Sequence, residues 1–122
     1  MIRKLNSGAM LAWTAALHTV IGAILFWQPL VDIWRDGLFG AVGAHLDRGN
    51  AFWFLMFGFA IYMYACLIRF VERTKGRPIP RFVAIHLLMF SIIGLVFVPL
   101  SGFWLVIPQA LLLFRKSRLS QQ

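Results

Sequence analysis

An uncharged apolar run near the start of the chain limits what it can fold into. From Gly8 to Trp27 the sequence contains no charged residue. About 20 such residues in a helix cross the hydrocarbon core of a bilayer, at about 1.5 Å per residue. A second run, Ala51 to Ile68, is also free of charge. Because every backbone group inside a bilayer must be hydrogen-bonded within the protein, both runs predict transmembrane helices.

Two shorter apolar runs follow, Phe82 to Val98 and Gly102 to Phe114. Only the segment "PLSG" joins them, so they predict an antiparallel hairpin. The composition, 61% hydrophobic and 13% charged, is that of an integral membrane protein. We therefore predict an all-α fold, an integral membrane four-helix bundle in which residues 1–122 form one domain. Its predicted spans cover about residues 8–28, 51–70, 82–99 and 101–115, with an outer loop at 29–50.

The first run has an alternative interpretation as a signal peptide, because "MIRK" precedes it as a basic n-region would. A signal h-region is only about 7–15 residues long and ends at small residues. This run is longer, and the "WQPLVD" at its end holds no A-x-A-like cleavage site. The sequence therefore favours a transmembrane span.

The basic residues predict the orientation of the spans, since Lys and Arg collect on the cytoplasmic side in short loops. Ten of the 12 border one side of the predicted bundle: Arg3, Lys4, Arg69, Arg73, Lys75, Arg77, Arg81, Arg115, Lys116 and Arg118. Arg35 and Arg48 border the other side, so both termini are expected in the cytoplasm. The same distribution argues against nucleic-acid binding despite the net charge of +8, because no folded domain presents a basic groove.

The outer loop at residues 29–50 is long enough to have a structure of its own. Its segment "PLVDIWRD" alternates apolar and charged residues, so we expect it to lie flat on the membrane with Trp34 at headgroup level. Three glycines at a spacing of three follow, and we interpret them as a connector rather than a phosphate-binding loop, because no strand precedes them. Asn50 and Ser101 are expected as helix N-caps.

Residues with ionisable or nucleophilic side chains are few in the predicted spans. All four acids, Asp32, Asp36, Asp47 and Glu72, fall outside the predicted spans. Small four-helix multidrug transporters couple export to protons through a carboxylate in their first helix, and this chain has none there. The single Cys66 is expected as a small buried hydrophobe. The sequence thus favours neither such a transporter nor an enzyme, and it predicts no metal or cofactor.

His18 is the exception, an ionisable residue near the middle of the first span. It shares a helix face with Thr14 and with two small residues, Ala15 and Gly22, and small residues mark contacts between membrane helices. We therefore expect His18 to point into the bundle, with Tyr62 of the second span as its partner. An inward ionisable residue at this depth is a functional hypothesis by default.

The predicted ligand-binding site consists of His18, Tyr62, His86 and Gln109. In a structural alternative, His18 is neutral and only joins helices, through a hydrogen bond to Tyr62, Gln109 or a backbone carbonyl released near Pro108. A haem or metal held by His18 and His86 is a further alternative. It is disfavoured because the two histidines differ in depth by about 7–9 Å and neither belongs to a ligand motif.

Four segments, "LHTVIG", "AFWFLMFG", "RPIPR" and "PLSGFW", carry a resemblance that covers the whole chain. Together they resemble an uncharacterised bacterial family of small four-helix membrane proteins, broadly similar in layout to the DoxX-like group. The matching positions are His18, Trp53, Pro80, Pro99, Gly102 and Trp104. The resemblance implies a four-helix bundle of unknown activity in the bacterial inner membrane, and it assigns no catalytic residue.

From these residues we expect a protein that binds a small lipophilic molecule in an intramembrane pocket. One form of this hypothesis is that the protein also moves the molecule. Its partners are then the lipid bilayer and that ligand. The alternative is an accessory or scaffold subunit without a ligand, in a homo-oligomer or a larger membrane complex, whose polar groups only fix helix register. An intramembrane haem or redox protein is a third class, for which the sequence contains no cofactor motif.

Overall fold

The computed structural model describes residues 6–74, 79–99 and 102–119, and within these ranges every regular element is a helix. The helices are α1 (Ser7–Leu25), α2 (Trp27–Arg35), α3 (Leu46–Arg73), α4 (Arg81–Phe97) and α5 (Phe103–Leu119). The prediction of an all-α chain is confirmed for these residues. Of these helices, α1 and α3 are long and apolar enough to cross a membrane, and α4 is a shorter apolar helix.

Helices α1 and α3 form an antiparallel pair, and the surface between them is lined with small residues at intervals of seven. These buried positions, which we call the small-residue seam, are Gly8, Ala15 and Gly22 on α1 and Ala51, Gly58 and Ala65 on α3. A seven-residue repeat keeps one helix face on its partner, and small residues let the two backbones approach closely. At Gly8 an added Cβ would lie 2.6 Å from the backbone nitrogen of Arg69.

Helices α4 and α5 form a second antiparallel pair, and α1 joins the two pairs by packing on α5. The hydrophobic core lies where the pairs meet. Its buried members are Leu11, Ala65, Ile68, Ile79, Ala84, Leu87, Val106, Ala110 and Leu113. Leu11 and Leu113 are the largest of the fully buried side chains among the described residues. The core is therefore tightest in the half of the bundle that contains the start of α1 and the end of α5.

That half ends in a surface that we call the basic end, where the starts of α1 and α4 meet the ends of α3 and α5. Here the Glu72 carboxylate accepts hydrogen bonds from the backbone N–H groups of Ser7 and Gly8, at 3.0 and 3.1 Å. Lys116 of α5 donates to the same carboxylate at 2.8 Å. Because the first N–H groups of a helix have no partner within it, the Glu72 carboxylate caps α1 and ties three helices together.

The connection between α1 and α3 differs from the predicted outer loop, because it contains the nine-residue helix α2. Apolar Leu30 and Ile33 are three residues apart and so share a helix face, and Gln28 donates a hydrogen bond to Asp32 four residues later at 3.2 Å. The three glycines that follow all have positive φ angles, in a segment of turns, as a connector requires. Whether α2 lies on a membrane surface stays a prediction.

The start of α3 also corrects the sequence prediction. The N-cap residue is His45, so the expectation of Asn50 as N-cap was wrong, and α3 begins at Leu46 rather than near residue 51. Asp47 stands in the first turn, where its negative charge offsets the positive end of the helix dipole. The other predicted N-cap, Ser101, lies outside the described residues.

The sequence prediction was also wrong about which residues of α3 face the interior of the protein. Gly58 and Ala65 face α1 as expected, but Tyr62 and Cys66 are exposed. Ile61 is packed against the core instead. Because adjacent residues of a helix are about 100° apart, turning Ile61 inwards turns Tyr62 away from the second helix pair. Cys66 is therefore not the buried hydrophobe that its residue type suggested.

Candidate ligand-binding site

A cavity of about 830 Å³ opens between the two helix pairs at the end opposite the basic end, which we call the cavity end. It lies among the second half of α1, the first half of α3, the end of α4 and the start of α5. The α1 wall consists of Thr14, Leu17, His18, Ile21 and Leu25. This wall is roughly 90° round the helix from the small-residue seam, so α1 presents one face to α3 and another to the cavity.

Aromatic rings dominate the other walls. Helix α3 contributes Asn50, Trp53, Phe54, Phe57 and Ile61. The pair of α4 and α5 contributes Phe90, Val98, Gly102, Phe103, Leu105 and Val106, and Phe26 completes the rim. The rings of Phe57 and Phe90 stack across the gap between the pairs with their centroids 5.3 Å apart. Within the part of the chain that the structure describes, these walls contain no Asp, Glu, Lys or Arg.

His18 is fixed in this wall by contacts with α3. Its Nε2 atom lies 3.0 Å from the carbonyl oxygen of Phe54, and the two rings stack with centroids 4.0 Å apart and 7° between their planes. A carbonyl oxygen only accepts, so we assign the proton to Nε2, which donates. In the neutral ring Nδ1 is then an acceptor, and no described residue hydrogen-bonds to it.

Gly58 makes room for the His18 ring. A Cβ atom at this position would lie 3.0 Å from Cδ2 of His18 and 2.7 Å from the hydroxyl oxygen of Thr19. Any larger residue would therefore press on the ring from the side of α3. The same small residue that brings the two helices together thus also sets the position of the histidine.

A second polar group joins α1 to α5 next to the cavity. The Gln109 side-chain amide donates from Nε2 to the hydroxyl oxygen of Thr14 at 2.7 Å, and that hydroxyl donates to the carbonyl oxygen of Met10 at 3.1 Å. Gln109 is 5% exposed, and its Oε1 atom is buried with no hydrogen-bond partner. Buried polar atoms are nearly always hydrogen-bonded, and Oε1 of Gln109 is one of two exceptions among the described residues, the other being the Ser7 hydroxyl oxygen.

The structure separates the four residues predicted for the site. His18 lines the cavity, whereas Gln109 does not line it and is connected to it only by its hydrogen bond to Thr14, a wall residue. Tyr62 is 49% exposed and His86 is exposed with its ring 5.6 Å from that of Phe82, and neither lines the cavity. The expected partner of His18 was therefore wrong, since the carbonyl of Phe54 takes the place proposed for Tyr62. That the four residues bind a ligand together stays a prediction.

Metal coordination finds little support in this arrangement. Among the described residues no three His, Cys, Asp or Glu side chains lie close enough to hold a metal ion. His86 is also not part of the cavity that His18 lines, so the geometry does not bring the two histidines together as a ligand pair.

Sequence reasoning missed two polar residues of the cavity. Thr14 was seen only as a neighbour of His18, although its spacing of four residues on the same face already placed it in the same wall. Asn50 was assigned to a helix start, but it lies inside α3 and lines the cavity. The backbone carbonyl of Phe54 has no sequence signature, because every residue carries one.

Comparison with known proteins gives a family but no activity. The model of the DUF6463 family, described as a family of unknown function, matches residues 3–120. No curated protein and no solved structure matches the chain. The family match therefore covers nearly the whole chain, while the function must be argued from its own residues.

Proposed function

The chain belongs to the DUF6463 family of unknown function, and from this premise we propose that it is a multi-pass membrane protein that binds a small lipophilic molecule in the cavity between its helix pairs. Its four long helices are the proposed spans, with both termini in the cytoplasm of a bacterial cell and α2 on the outer surface. The DoxX-like layout expected from the sequence belongs to this proposal as well.

The exposed surface supports the membrane part of the proposal. Only 22% of the apolar window of α1, and the same share of that of α3, is buried inside the protein, whereas the core helix of a soluble protein is mostly buried. Large apolar side chains such as Trp13, Phe70 and Phe97 are 78%, 68% and 80% exposed. A soluble monomer rarely exposes apolar patches of this extent, so a lipid environment accounts for them best.

The lengths of α4 and α5 support two further spans. Each has 17 residues, which corresponds to about 26 Å, slightly short of the hydrocarbon core. Arg81 begins α4, and Arg115 and Arg118 lie in the last turns of α5. Long basic side chains at helix ends reach the headgroups and extend a short span. They also favour the basic end on the cytoplasmic side.

The single observation that carries the ligand proposal is the cavity itself. Its volume of about 830 Å³ lies within the usual range for small-molecule sites, roughly 300–1,000 Å³, and such sites combine apolar walls with a few polar groups. Thr14, His18 and Asn50, together with the indole N–H of Trp53, are the polar groups in its described walls. Binding, rather than proton-coupled transport, is the proposed activity, since the described walls offer no carboxylate.

Binding of 1-aminoanthracene, a lipophilic dye that fluoresces more strongly away from water, tests this proposal. The protein is reconstituted in lipid nanodiscs, and the signal of empty nanodiscs is subtracted. Leu105→Trp fills the cavity from α5. The matched control is Leu111→Trp, because Leu105 and Leu111 lie on the same helix and are both 48% exposed, but only Leu105 lines the cavity.

We expect saturable dye binding that Leu105→Trp weakens at least tenfold and that Leu111→Trp leaves within a factor of about two, as one filled pocket would require. Equal binding by the two variants would contradict the cavity as the site. If the wild-type protein gave no more signal than empty nanodiscs, the scaffold alternative would be the better account, with His18 and Gln109 only fixing helix register.

A further inference from the structure

The unused hydrogen-bonding capacity around the cavity indicates the class of molecule that it takes. We infer that the ligand is a neutral lipophilic compound whose polar group donates a hydrogen bond, such as a phenol or an alcohol, rather than a compound that only accepts. This inference rests on the proposed function, and it concerns the polar groups that α1 and α5 present where the cavity reaches deepest towards the basic end.

Gln109 supplies the first unused acceptor. The hydroxyl of Thr14 donates to the carbonyl of Met10, so we assign the amide with Nε2 towards Thr14, where the hydroxyl accepts. With this assignment Oε1 is the atom left buried without a partner. Gln109 does not itself line the cavity, but it is one helical turn from Leu105 and Val106, which do. A donor must enter past Thr14 to pair with Oε1, and this would relieve the cost of the unpaired acceptor.

His18 and Thr14 supply two more acceptors. Nε2 of His18 is used as a donor to Phe54, which leaves Nδ1 of the neutral ring as an acceptor. The Thr14 hydroxyl oxygen accepts one hydrogen bond and donates another, so one of its two lone pairs is still available. Every unused polar atom that we identify on α1 and α5 at this depth is therefore an acceptor. A ligand that only accepts would leave all of them unpaired.

The described walls of the cavity carry no charged side chain, and this further restricts the class of ligand. An anionic headgroup would need a Lys or Arg partner and a cationic one a carboxylate, and the described walls offer neither. Two donors do line the cavity, the Asn50 amide and the indole N–H of Trp53, but both side chains are exposed, Trp53 to 70%. An exposed donor can hydrogen-bond outside the cavity and does not select the buried group of the ligand.

Two probes of similar shape, 4-hexylphenol and 4-hexylanisole, test the inference. The oxygen attached to the ring carries a hydrogen in the phenol and a methyl group in the anisole, so only the phenol can donate a hydrogen bond. Each competes with 1-aminoanthracene on the wild-type protein in nanodiscs, after correction for its partition into empty nanodiscs. We expect the phenol to displace the dye at an about tenfold lower concentration than the ether, because a site left with unpaired acceptors discriminates against a ligand without a donor.

Thr14→Val removes the hydroxyl acceptor from the cavity wall while keeping side-chain bulk. We expect it to reduce the preference for the phenol to about threefold or less, with little change in the affinity of the ether. Ser91→Ala is the matched control, because Ser91 is a buried polar residue of α4 that does not line the cavity. It should keep the full preference.

The outcomes separate this inference from the proposed function. If both probes displaced the dye equally and Leu105→Trp blocked both, the cavity would remain the site and the donor class would be wrong. A phenol preference that survived in Thr14→Val would overturn the inference as well. If neither probe nor dye bound above the level of empty nanodiscs, the proposed function itself would fail.

Discussion

The basic end and the cavity end are built from the same long helices, but they differ in how their polar groups are satisfied. At the basic end the Glu72 carboxylate binds two backbone N–H groups and Lys116. Near the cavity end, Oε1 of Gln109 has no partner, and no described residue hydrogen-bonds to Nδ1 of His18. The basic end therefore pairs its buried charges within the chain and leaves only the Ser7 hydroxyl unpaired among the described residues, whereas the cavity end has unpaired acceptors close to an open space.

Side-chain size accounts for the difference in packing. The small-residue seam holds α1 and α3 close together along their length, so it does not distinguish the two ends. The packing of the second helix pair, α4 and α5, is what differs between the two ends. Towards the basic end, Ala84, Ala110 and Leu113 are buried against the first pair. Towards the cavity end, the rings of Phe57 and Phe90 stack across the gap instead, and the space beside them is the cavity.

The largest effect is expected from Gly8→Ala at the basic end. Its Cβ would lie 2.6 Å from the backbone nitrogen of Arg69 and 2.8 Å from the carbonyl oxygen of Ala65, and backbone atoms cannot move aside as a side chain can. We expect a loss of about 3 kcal/mol in the free energy of unfolding, measured by titrating the protein in mild detergent with sodium dodecyl sulfate.

Gly49→Ala is the matched control for this change. Gly49 also lies in a helix, but an added Cβ there meets nothing within 4 Å. Alanine should stabilise that position by about 0.5–1 kcal/mol, because glycine loses more conformational freedom when a helix forms. If Gly8→Ala were as harmless as Gly49→Ala, the close approach of α1 and α3 would be wrong.

Glu72→Gln comes next and also acts at the basic end. The amide keeps one acceptor for the start of α1 but loses the negative charge that pairs with Lys116 and with the helix dipole. Both side chains are at least partly buried, 11% and 14% exposed, so we expect a loss of about 2 kcal/mol in the same unfolding titration.

The exposed ion pair between Asp36 and Arg48 provides the comparison. The Asp36 side chain is 54% exposed, so Asp36→Asn should cost less than about 1 kcal/mol. Equal losses for Glu72→Gln and Asp36→Asn would show that the carboxylate of Glu72 does not hold the basic end together. The dye affinity should be unchanged in both variants, because neither residue lines the cavity.

A smaller loss of stability than that of Gly8→Ala or Glu72→Gln is expected from His18 at the cavity end. His18→Ala removes one hydrogen bond to Phe54 and the ring stack, for an expected loss of about 1–2 kcal/mol. His18→Gln can still donate to the Phe54 carbonyl and should be nearly as stable as the wild type. His86→Ala is the control, since that exposed histidine lies outside the cavity.

Dye and phenol binding then distinguish the two roles of His18. If the histidine binds the ligand, the preference for 4-hexylphenol over 4-hexylanisole should fall in His18→Gln although the protein stays folded. A His18→Gln variant with wild-type stability and an unchanged preference would restrict His18 to joining the helices.

The sequence predicts the helical fold and the inward position of His18, because apolar runs and the spacing of small residues are properties of single helices. It does not predict the partner of His18. Tyr62 and Ile61 are both close to the α1 face, and only the packing of the second helix pair decides which one turns inwards. The sequence does not predict the capping of α1 by Glu72 either, since this contact joins residues that are 64 and 65 positions apart.

The sequence predicts an intramembrane pocket but not most of its walls. A run of apolar residues looks the same whether it packs against a neighbour or lines an empty space, so nothing in the sequence marks Phe57, Phe90 and Phe103 as wall residues. The repeat of small residues at intervals of seven is the sequence pattern that best predicts the contact between α1 and α3. When the repeats of the two helices are aligned, Gly8 lies opposite Ala65, and this sets the register of the helix pair.

Photolabelling tests most directly the central claim, that the cavity end binds a lipophilic donor. The probe is a 4-alkylphenol that carries a diazirine on its alkyl chain, reacted with the wild-type protein in nanodiscs and mapped by mass spectrometry. We expect adducts on the cavity walls, between Thr14 and Leu25 and between Asn50 and Ile61, that excess 4-hexylphenol removes and that Leu105→Trp abolishes. Adducts spread over the lipid-facing surface, unaffected by competitor and equal in Leu105→Trp and Leu111→Trp, would contradict binding in the cavity.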